Sequence, residues 1–281
     1  MILVTGATGN VGSEIARQLV AQNTPFRIFV RDGDKAAEMI GPGDYQIALG
    51  SFSDAAAFDQ ALSGIDAVYM VTNQSDAFKQ DLPRMVEQAS RAGIRRFVML
   101  SAEGDAENEV FFVRRTGELE DIVRATDLPW TFLRPDWFMQ NFGGYVEMGM
   151  VAFPEGPGKT SFVDVRDVAE IAIKALTEDG HSRRTYRLTG PDAMTFAGAA
   201  ARISATIGRD IPFVGITPEQ MRDALIANGA EPWYAEMNAE MTKAVRMGFN
   251  YSPSNDIAFL LGRNPRAIEA YAADKLSQIS T

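Results

Sequence analysis

Three observations in the 281-residue sequence predict an α/β protein: a doubly wound parallel sheet with a smaller, mainly helical C-terminal lobe. The first is the opening stretch MILVTGATGNVG, where an apolar run meets three closely spaced glycines and then an amphipathic pattern, Ile15, Ala16, Leu19 and Val20. The second is the alternation of short β-rich runs with longer helical ones over the first 135 residues. Such alternation builds βαβ units, a parallel sheet and right-handed crossovers. The third is a looser rhythm after residue 135, mostly helical from residue 195 onward.

Taken in order, strands are expected at 2–5, 26–30, 45–49, 67–72, 96–101 and 130–133, with helices at 10–22, 33–40, 54–63, 77–92 and 110–126. Phe97-Val98-Met99-Leu100 and Ala67-Val68-Tyr69-Met70-Val71 are near-continuous apolar runs, as central strands buried on both faces require. Pro154, Gly156, Pro157 and Gly158 form a breaker cluster, expected as a loop. A helix is expected from Asp164, a strand at 185–188 ended by Gly190-Pro191, and helices at 217–228, 235–247 and 265–277 around a short apolar run at 211–214. The expected division is a nucleotide-binding domain at 1–190 and a C-terminal substrate lobe at 191–281, with 138–158 contributing to the substrate pocket.

Composition excludes several classes. Apolar residues make up 46% of the chain and charged residues 23%, which supports a real core. A net charge of −10 argues against a nucleic-acid surface. No apolar run is long enough for a membrane span, and strand-forming residues begin at position 2, so neither a membrane partner nor a leader is expected and the location is read as cytoplasmic. With no cysteine and one histidine, His181, neither a thiolate nucleophile nor a Cys/His metal site is expected. His181 lies in Glu178-Asp179-Gly180-His181-Ser182, a polar turn, and is expected as an exposed loop residue.

Gly6, Gly9 and Gly12, between a strand and a helix, suit a dinucleotide site. A helix N-terminus aims backbone N–H groups and the positive end of its dipole at an anion. The glycines supply the tight turn, the close approach to pyrophosphate and the close packing of helix on strand. The alternative is a structural turn that binds nothing. Arg31, after the second strand, stands where such folds select their dinucleotide, since an acidic side chain there binds the ribose 2′-OH and an arginine receives a 2′-phosphate. Lys35 offers a second cation one turn on. This favours NADP(H) over NAD(H), with Asp32 as the opposing feature and a merely solvated Arg31 as the alternative. Ser51, Phe52, Thr72, Asn73 and Ser101 follow strands at the edge where ligands of open sheets bind.

The stretch 130–153 is rich in aromatic residues and methionine, among them Trp137, Phe138, Phe142, Tyr145, Met148 and Phe153, and Trp233 and Tyr234 mark a second such stretch. They suit either an apolar pocket wall or the core of a lobe. Tyr271 and Lys275 form the one Tyr-x-x-x-Lys match, but in the final helix, where it reads as coincidence. No tyrosine or lysine lies between Ser101 and Trp130.

On Val4 to Gly12, Val30-Arg31-Asp32, Thr131 to Asn141, Tyr186 to Pro191 and Leu261 to Arg266, the chain resembles the NmrA-like branch of the atypical short-chain dehydrogenases. Within it the character is that of type 2 quinone oxidoreductases and triphenylmethane reductase. The resemblance implies a Rossmann-type domain binding NADP(H). It puts Gly6, Thr8, Gly9, Asn10 and Val11 at the pyrophosphate, Arg31 at the 2′-phosphate, and Pro135, Trp137, Phe138 and Asn141 toward the nicotinamide. Many relatives carry His or Lys four residues before a Glu; the matching positions here are Thr116 and Glu120, so that proton donor does not carry over. Tyr145, Asp136 and Ser101 remain as candidate acids. The expected activity is reduction of a small quinone-like or electron-poor aromatic acceptor by a monomer or homodimer. The rival is a dinucleotide-binding redox sensor without turnover.

Overall fold

A computed structural model of the chain describes residues 1–246 and 252–279. Along the first part run β1 (Ile2–Thr5), α1 (Asn10–Ala21), β2 (Phe26–Val30), α2 (Gly33–Ile40), β3 (Gln46–Leu49), α3 (Ala55–Ala61), β4 (Ala67–Met70), α4 (Asp76–Arg91), β5 (Arg96–Leu100), α5 (Phe111–Arg124) and β6 (Trp130–Pro135). A 3₁₀ turn, Met139–Asn141, leads into α6 (Phe142–Glu147), β7 (Val151–Pro154), α7 (Val165–Thr177) and β8 (Arg184–Leu188). The tail adds α8 (Phe196–Ile207), β9 (Phe213–Ile216), α9 (Pro218–Ala227), α10 (Pro232–Arg246), α11 (Asp256–Leu261) and α12 (Ile268–Tyr271), which passes into a π-helical turn, Ala272–Leu276. The helix expected at 235–247 thus begins at Pro232, and Met247 lies outside the described residues.

Seven strands form one sheet in the order β3-β2-β1-β4-β5-β6-β8. Pairings from β3 through β6 are all parallel. Strand β8 runs the same way as β6, because Arg183 N–H donates to Trp130 O at one end and Asp136 N–H to Leu188 O at the other. The strand order reverses between β1 and β4, which opens a crevice outside the carboxyl ends of those two strands. Both are buried along their whole length, the reason their sequences read as unbroken apolar runs. Leu3, Val68, Met70, Phe97 and Met99 share one core with Phe58 of α3 and Leu82, Met85 and Val86 of α4. Helices α1 and α7 pack on each other, and α7 also packs against β4, β5 and β6.

The chain divides into two compact units. The first comprises Met1–Glu107, Arg115–Pro135 and Val165–Arg187 and carries the sheet. The second gathers Asn108–Arg114, Asp136–Asp164 and the chain from Leu188. Residues before the expected cut at 190/191 join the tail because of their side chains: Met139, Phe142, Val151, Phe153 and Phe162 share a core with Phe196, Ala199 and Ile203 of α8. This unit is not wholly helical. The apolar run expected at 211–214 becomes β9, which pairs in parallel with β7 (Val151↔Phe213, Pro154↔Ile216). Pro154, expected in a loop, ends that two-stranded sheet, where a missing N–H is tolerated.

His181 corrects the sequence reading: it is buried rather than exposed. The polar turn before β8 tucks against β6, where Thr131 Oγ1 donates to His181 O (2.7 Å), and His181 Nδ1 lies 2.9 Å from Tyr186 Oη. Burial lowers the imidazole pKa below its ordinary 6.5, Lys174 and Arg96 act in the same sense, and Glu178 opposes them. The folded state therefore holds the neutral ring. Its contribution to stability is present above 6.5 and is lost as pH falls from 6.5 through the folded value. An NMR titration of this single histidine is expected to give a pKa below 6.5, and His181→Asn is expected to flatten the acid-side loss of thermal stability. A value at or above 6.5 would contradict the burial.

Candidate functional site

The opening motif folds into a glycine cradle. Gly6 has φ +62°, and a Cβ there would stand 2.5 Å from Val71 Cγ1. A Cβ on Gly12 would stand 2.2 Å from the carbonyl oxygen of Gly6, so only glycine lets α1 press against the turn. Gly9 N–H closes the turn on Gly6 O (2.9 Å), and Gly9 then occupies the N-cap of α1.

That cap is the informative feature. Asp32, Asp54, Ser75, Thr195 and Thr217 each cap their helix through a side-chain oxygen. Helix α1 has no such bond and no acidic residue in its first turn. The N–H groups of Asn10, Val11 and Gly12 consequently find no acceptor among the described residues. Three donors without acceptors at the positive end of a helix suit an anion such as phosphate. Thr5 holds the crevice in shape, its Oγ1 donating to Tyr69 O (3.0 Å) and accepting from Val71 N–H (2.9 Å).

From this cradle a cleft of about 370 Å³ extends within the first unit, of a size suited to a small-molecule site. Gly6, Thr8, Arg31, Ser51, Phe52 and Asn73, six of the residues singled out from sequence, all line it. Phe52 is backed by Phe29 (6.2 Å) and by Phe78 edge-on (5.4 Å, 74°), and Arg84 donates to its carbonyl, so its ring is a fixed wall for a flat group. Arg31 is exposed and has no partner among the described residues. Asp32, the feature opposing a 2′-phosphate, spends a carboxylate oxygen on Lys35 N–H as the cap of α2. Lys35 is exposed but does not line the cleft. Sequence reasoning missed Val71, Ser75, Phe78 and Asp81, which also line it. Ser75 was open to discovery, since Ser75-Asp76 before an amphipathic run is an N-cap signal.

Other predicted residues spend their polar groups on the fold. Thr72 Oγ1 donates to Leu100 O (2.7 Å), tying β4 to β5. Ser101 is buried and donates to the fully buried Glu120 (2.6 Å), which also accepts from Arg134 Nε (2.9 Å) and Arg124 Nη2 (2.6 Å). Arg134 reaches on to Gly104 O (3.1 Å), fastening the loop after β5.

In the second unit the 136–141 segment pairs with the chain at 160–164. Met139 N–H bonds Val163 O, and Val163 N–H bonds Trp137 O. Asp136 anchors the pairing: Oδ1 accepts from Trp137 N–H and Thr160 Oγ1, and Oδ2 from Ser161 N–H. Extended backbone sends alternate side chains to opposite sides. Trp137 stands edge-on to Phe153 and Phe196 (5.4 Å each), and Met139 is buried in the same core. Phe138 lies outside that core, and Asn141 is exposed. Trp137 is partly buried and packs against that core from one side. Trp233 and Tyr234 remain exposed on α10. Tyr271 is buried in the core and Lys275 pairs with Asp274 in solvent, so that motif forms no acid pair.

Residues 6–179 match a family model described as NAD(P)H-binding. An NAD(P)H azoreductase of Xenophilus azovorans is 35% identical over 97% of this chain and 96% of its own length. A (4-alkanoyl-5-oxo-2,5-dihydrofuran-3-yl)methyl phosphate reductase of Streptomyces griseus is 38% identical over 98% of this chain and 97% of its own. Among solved structures, an NADPH-dependent quinone oxidoreductase of Escherichia coli complexed with NADPH superposes with a TM-score of 0.82 at 22% identity, covering 98% of this chain and 99% of that one. This likeness bears out the Rossmann-type fold.

Proposed function

Because this chain belongs to the NAD(P)H-binding family and is an NAD(P)H-dependent oxidoreductase, we propose that it uses NADPH to reduce a small, flat, electron-poor acceptor such as an azo compound or a quinone. The observation that carries the cofactor half of this reading is the uncapped α1 beside a glycine cradle that no Cβ can enter. Asn10, Val11 and Gly12 N–H groups hold the pyrophosphate, Phe52 flanks the adenine and Arg31 receives the 2′-phosphate. When bound, the reduced nicotinamide supplies a hydride. Residues 1–190 serve the dinucleotide, and 191–281 with 138–158 serve the acceptor, with Pro135, Trp137, Phe138 and Asn141 assigned toward the nicotinamide by family resemblance.

The relatives support the acceptor class: one is named for azo reduction, another for reducing a phosphate ester that bears an electron-poor unsaturated ring. Such acceptors suit a chain with no cysteine, one structural histidine and no Tyr/Lys acid pair, because orientation against the hydride donor supplies much of the rate. The test follows NADPH oxidation at 340 nm with methyl red and with menadione, alongside the NADPH Kd by calorimetry. Turnover of either acceptor is expected. Tight NADPH binding with turnover of neither would favour the redox-sensor reading instead.

A further inference from the structure

The 3₁₀ turn and α6 form one continuous helical stretch from Met139 to Glu147, and burial divides it by face. Met139, Phe142 and Val146 recur at helical spacing and lie in the core of the second unit. Asn141, Tyr145 and Met148 recur at the same spacing a step further round, with Asn141 and Met148 exposed and Tyr145 half-buried. Between them sits Gly144, exposed, where a Cβ would meet nothing within 4 Å. At Gly144 the flank is therefore bare of a side chain, a gap bordered by an amide, a phenol and a thioether where a flat ring can lie on backbone.

Both polar groups on this flank are unspent among the described residues. Asn141 stands at the N-cap of α6 yet makes no side-chain cap bond. Tyr145 Oη has no hydrogen-bond partner among the described residues, and it is not sealed from solvent. The tyrosine is held in place all the same: its ring packs on Phe142 (6.1 Å), and its carbonyl accepts from Met150 N–H (3.1 Å) across a turn in which Gly149 has φ +74°. The other candidate acids are committed, Ser101 to Glu120 and Asp136 to three donors. Met148 is 60% exposed, and a mobile thioether adapts to rings of different outline.

Resting on the reductase reading above, we propose that the Asn141–Gly144–Tyr145–Met148 flank of α6 seats the acceptor, and that Tyr145 is the proton donor for azo-type acceptors. Hydride adds to one nitrogen of the N=N bond, the π pair moves to the other nitrogen, and that nitrogen takes the proton of Tyr145 Oη. The product is a hydrazo compound, the dinucleotide is oxidised, and the tyrosinate recovers a proton from water. Burial holds the phenol at a pKa of about 12, so it keeps its proton at neutral pH. The reduced azo nitrogen is far more basic than any phenolate and takes that proton downhill. A reduced quinone is a phenolate with a pKa of about 10, like that of free tyrosine. It is stable enough to leave as the anion, so its formation needs no donor in the site, and solvent protonates it after release.

Tyr145→Phe in the full chain separates the two acceptors. Reduction of methyl red is expected to fall about 100-fold in kcat, the low end of general acid catalysis, with menadione falling less than about five-fold and the NADPH Kd unchanged. Equal losses with both acceptors, or no loss with methyl red, would overturn the donor role. Gly144→Leu adds a side chain to open space, so the fold tolerates it. It is expected to weaken methyl red binding to the NADPH-free protein at least ten-fold by calorimetry, while leaving the NADPH Kd unchanged; wild-type dye binding would overturn the seat. A wild-type chain that binds NADPH and reduces neither acceptor fails the reductase reading itself, a result distinct from either.

Discussion

Arg31→Ala is expected to raise the Kd for NADPH by about 10- to 100-fold while changing that for NADH by less than about three-fold. Hydrogen bonds to a charged group are worth about 1.5–3 kcal/mol, and each 1.4 kcal/mol is a factor of ten in affinity. The arginine fits this role because nothing else claims it: it lines the cleft, is exposed, and makes no ion pair among the described residues. Its removal therefore breaks no bond that the fold needs, and thermal stability is expected to stay within about 0.5 kcal/mol, as for other surface changes. The neighbouring carboxylate of Asp32 does not cancel the site, since one of its oxygens is spent on the first turn of α2. Calorimetric titration with each dinucleotide checks the prediction. Equal losses for NADPH and NADH would show that Arg31 does not meet the 2′-phosphate. The preference is also expected to shrink at high salt, because an exposed cation is screened.

Glu120→Ala is expected to destabilise the chain by about 3–5 kcal/mol, the cost of removing one partner from a buried charged cluster. Glu120 is fully buried on α5 and gathers Ser101, Arg124 and Arg134 around one carboxylate. Without it Arg134, mostly buried itself, keeps only Glu103 and the carbonyl of Gly104 among the described residues. The two arginines and the serine hydroxyl would lose their common acceptor together. Glu120→Gln retains an acceptor oxygen for Ser101 and is expected to cost less. Urea unfolding of both variants checks the order, and a cost below about 1 kcal/mol for the alanine would refute the role of the cluster. Because Ser101 ends β5 and Arg134 fastens the following loop, the loss is expected at the carboxyl edge of the sheet, where hydrogen exchange would detect it first.

Most of the fold could be read before any coordinates. Period-2 and period-3.6 patterning and glycine placement are local properties, carried by neighbouring residues, so they located six parallel strands and their helices to within a few residues. The same is true of the cradle: Gly6, Gly9 and Gly12 show themselves by their spacing, and their neighbours Thr8, Arg31, Ser51, Phe52 and Asn73 follow from standing at strand ends, where the cleft lies. The strand β7 was not legible, because its pairing partner is more than fifty residues away and Pro154 argues locally for a loop. His181 was misread for a related reason, since a polar turn shows no sign that a distant strand will cover it.

What the sequence determined by itself is the fold class, the glycine cradle and the position of the arginine beside it, because backbone conformation follows from residues close in the chain. Only the tertiary structure decided which polar side chains remain available. Ser101 is consumed by Glu120 and Asp136 by Thr160 and Ser161, whereas Tyr145 and Arg31 are left unspent among the described residues. A hydrogen bond made across many residues of chain leaves no local trace, so the same residue types read alike in sequence whether they serve the fold or are free to meet a ligand.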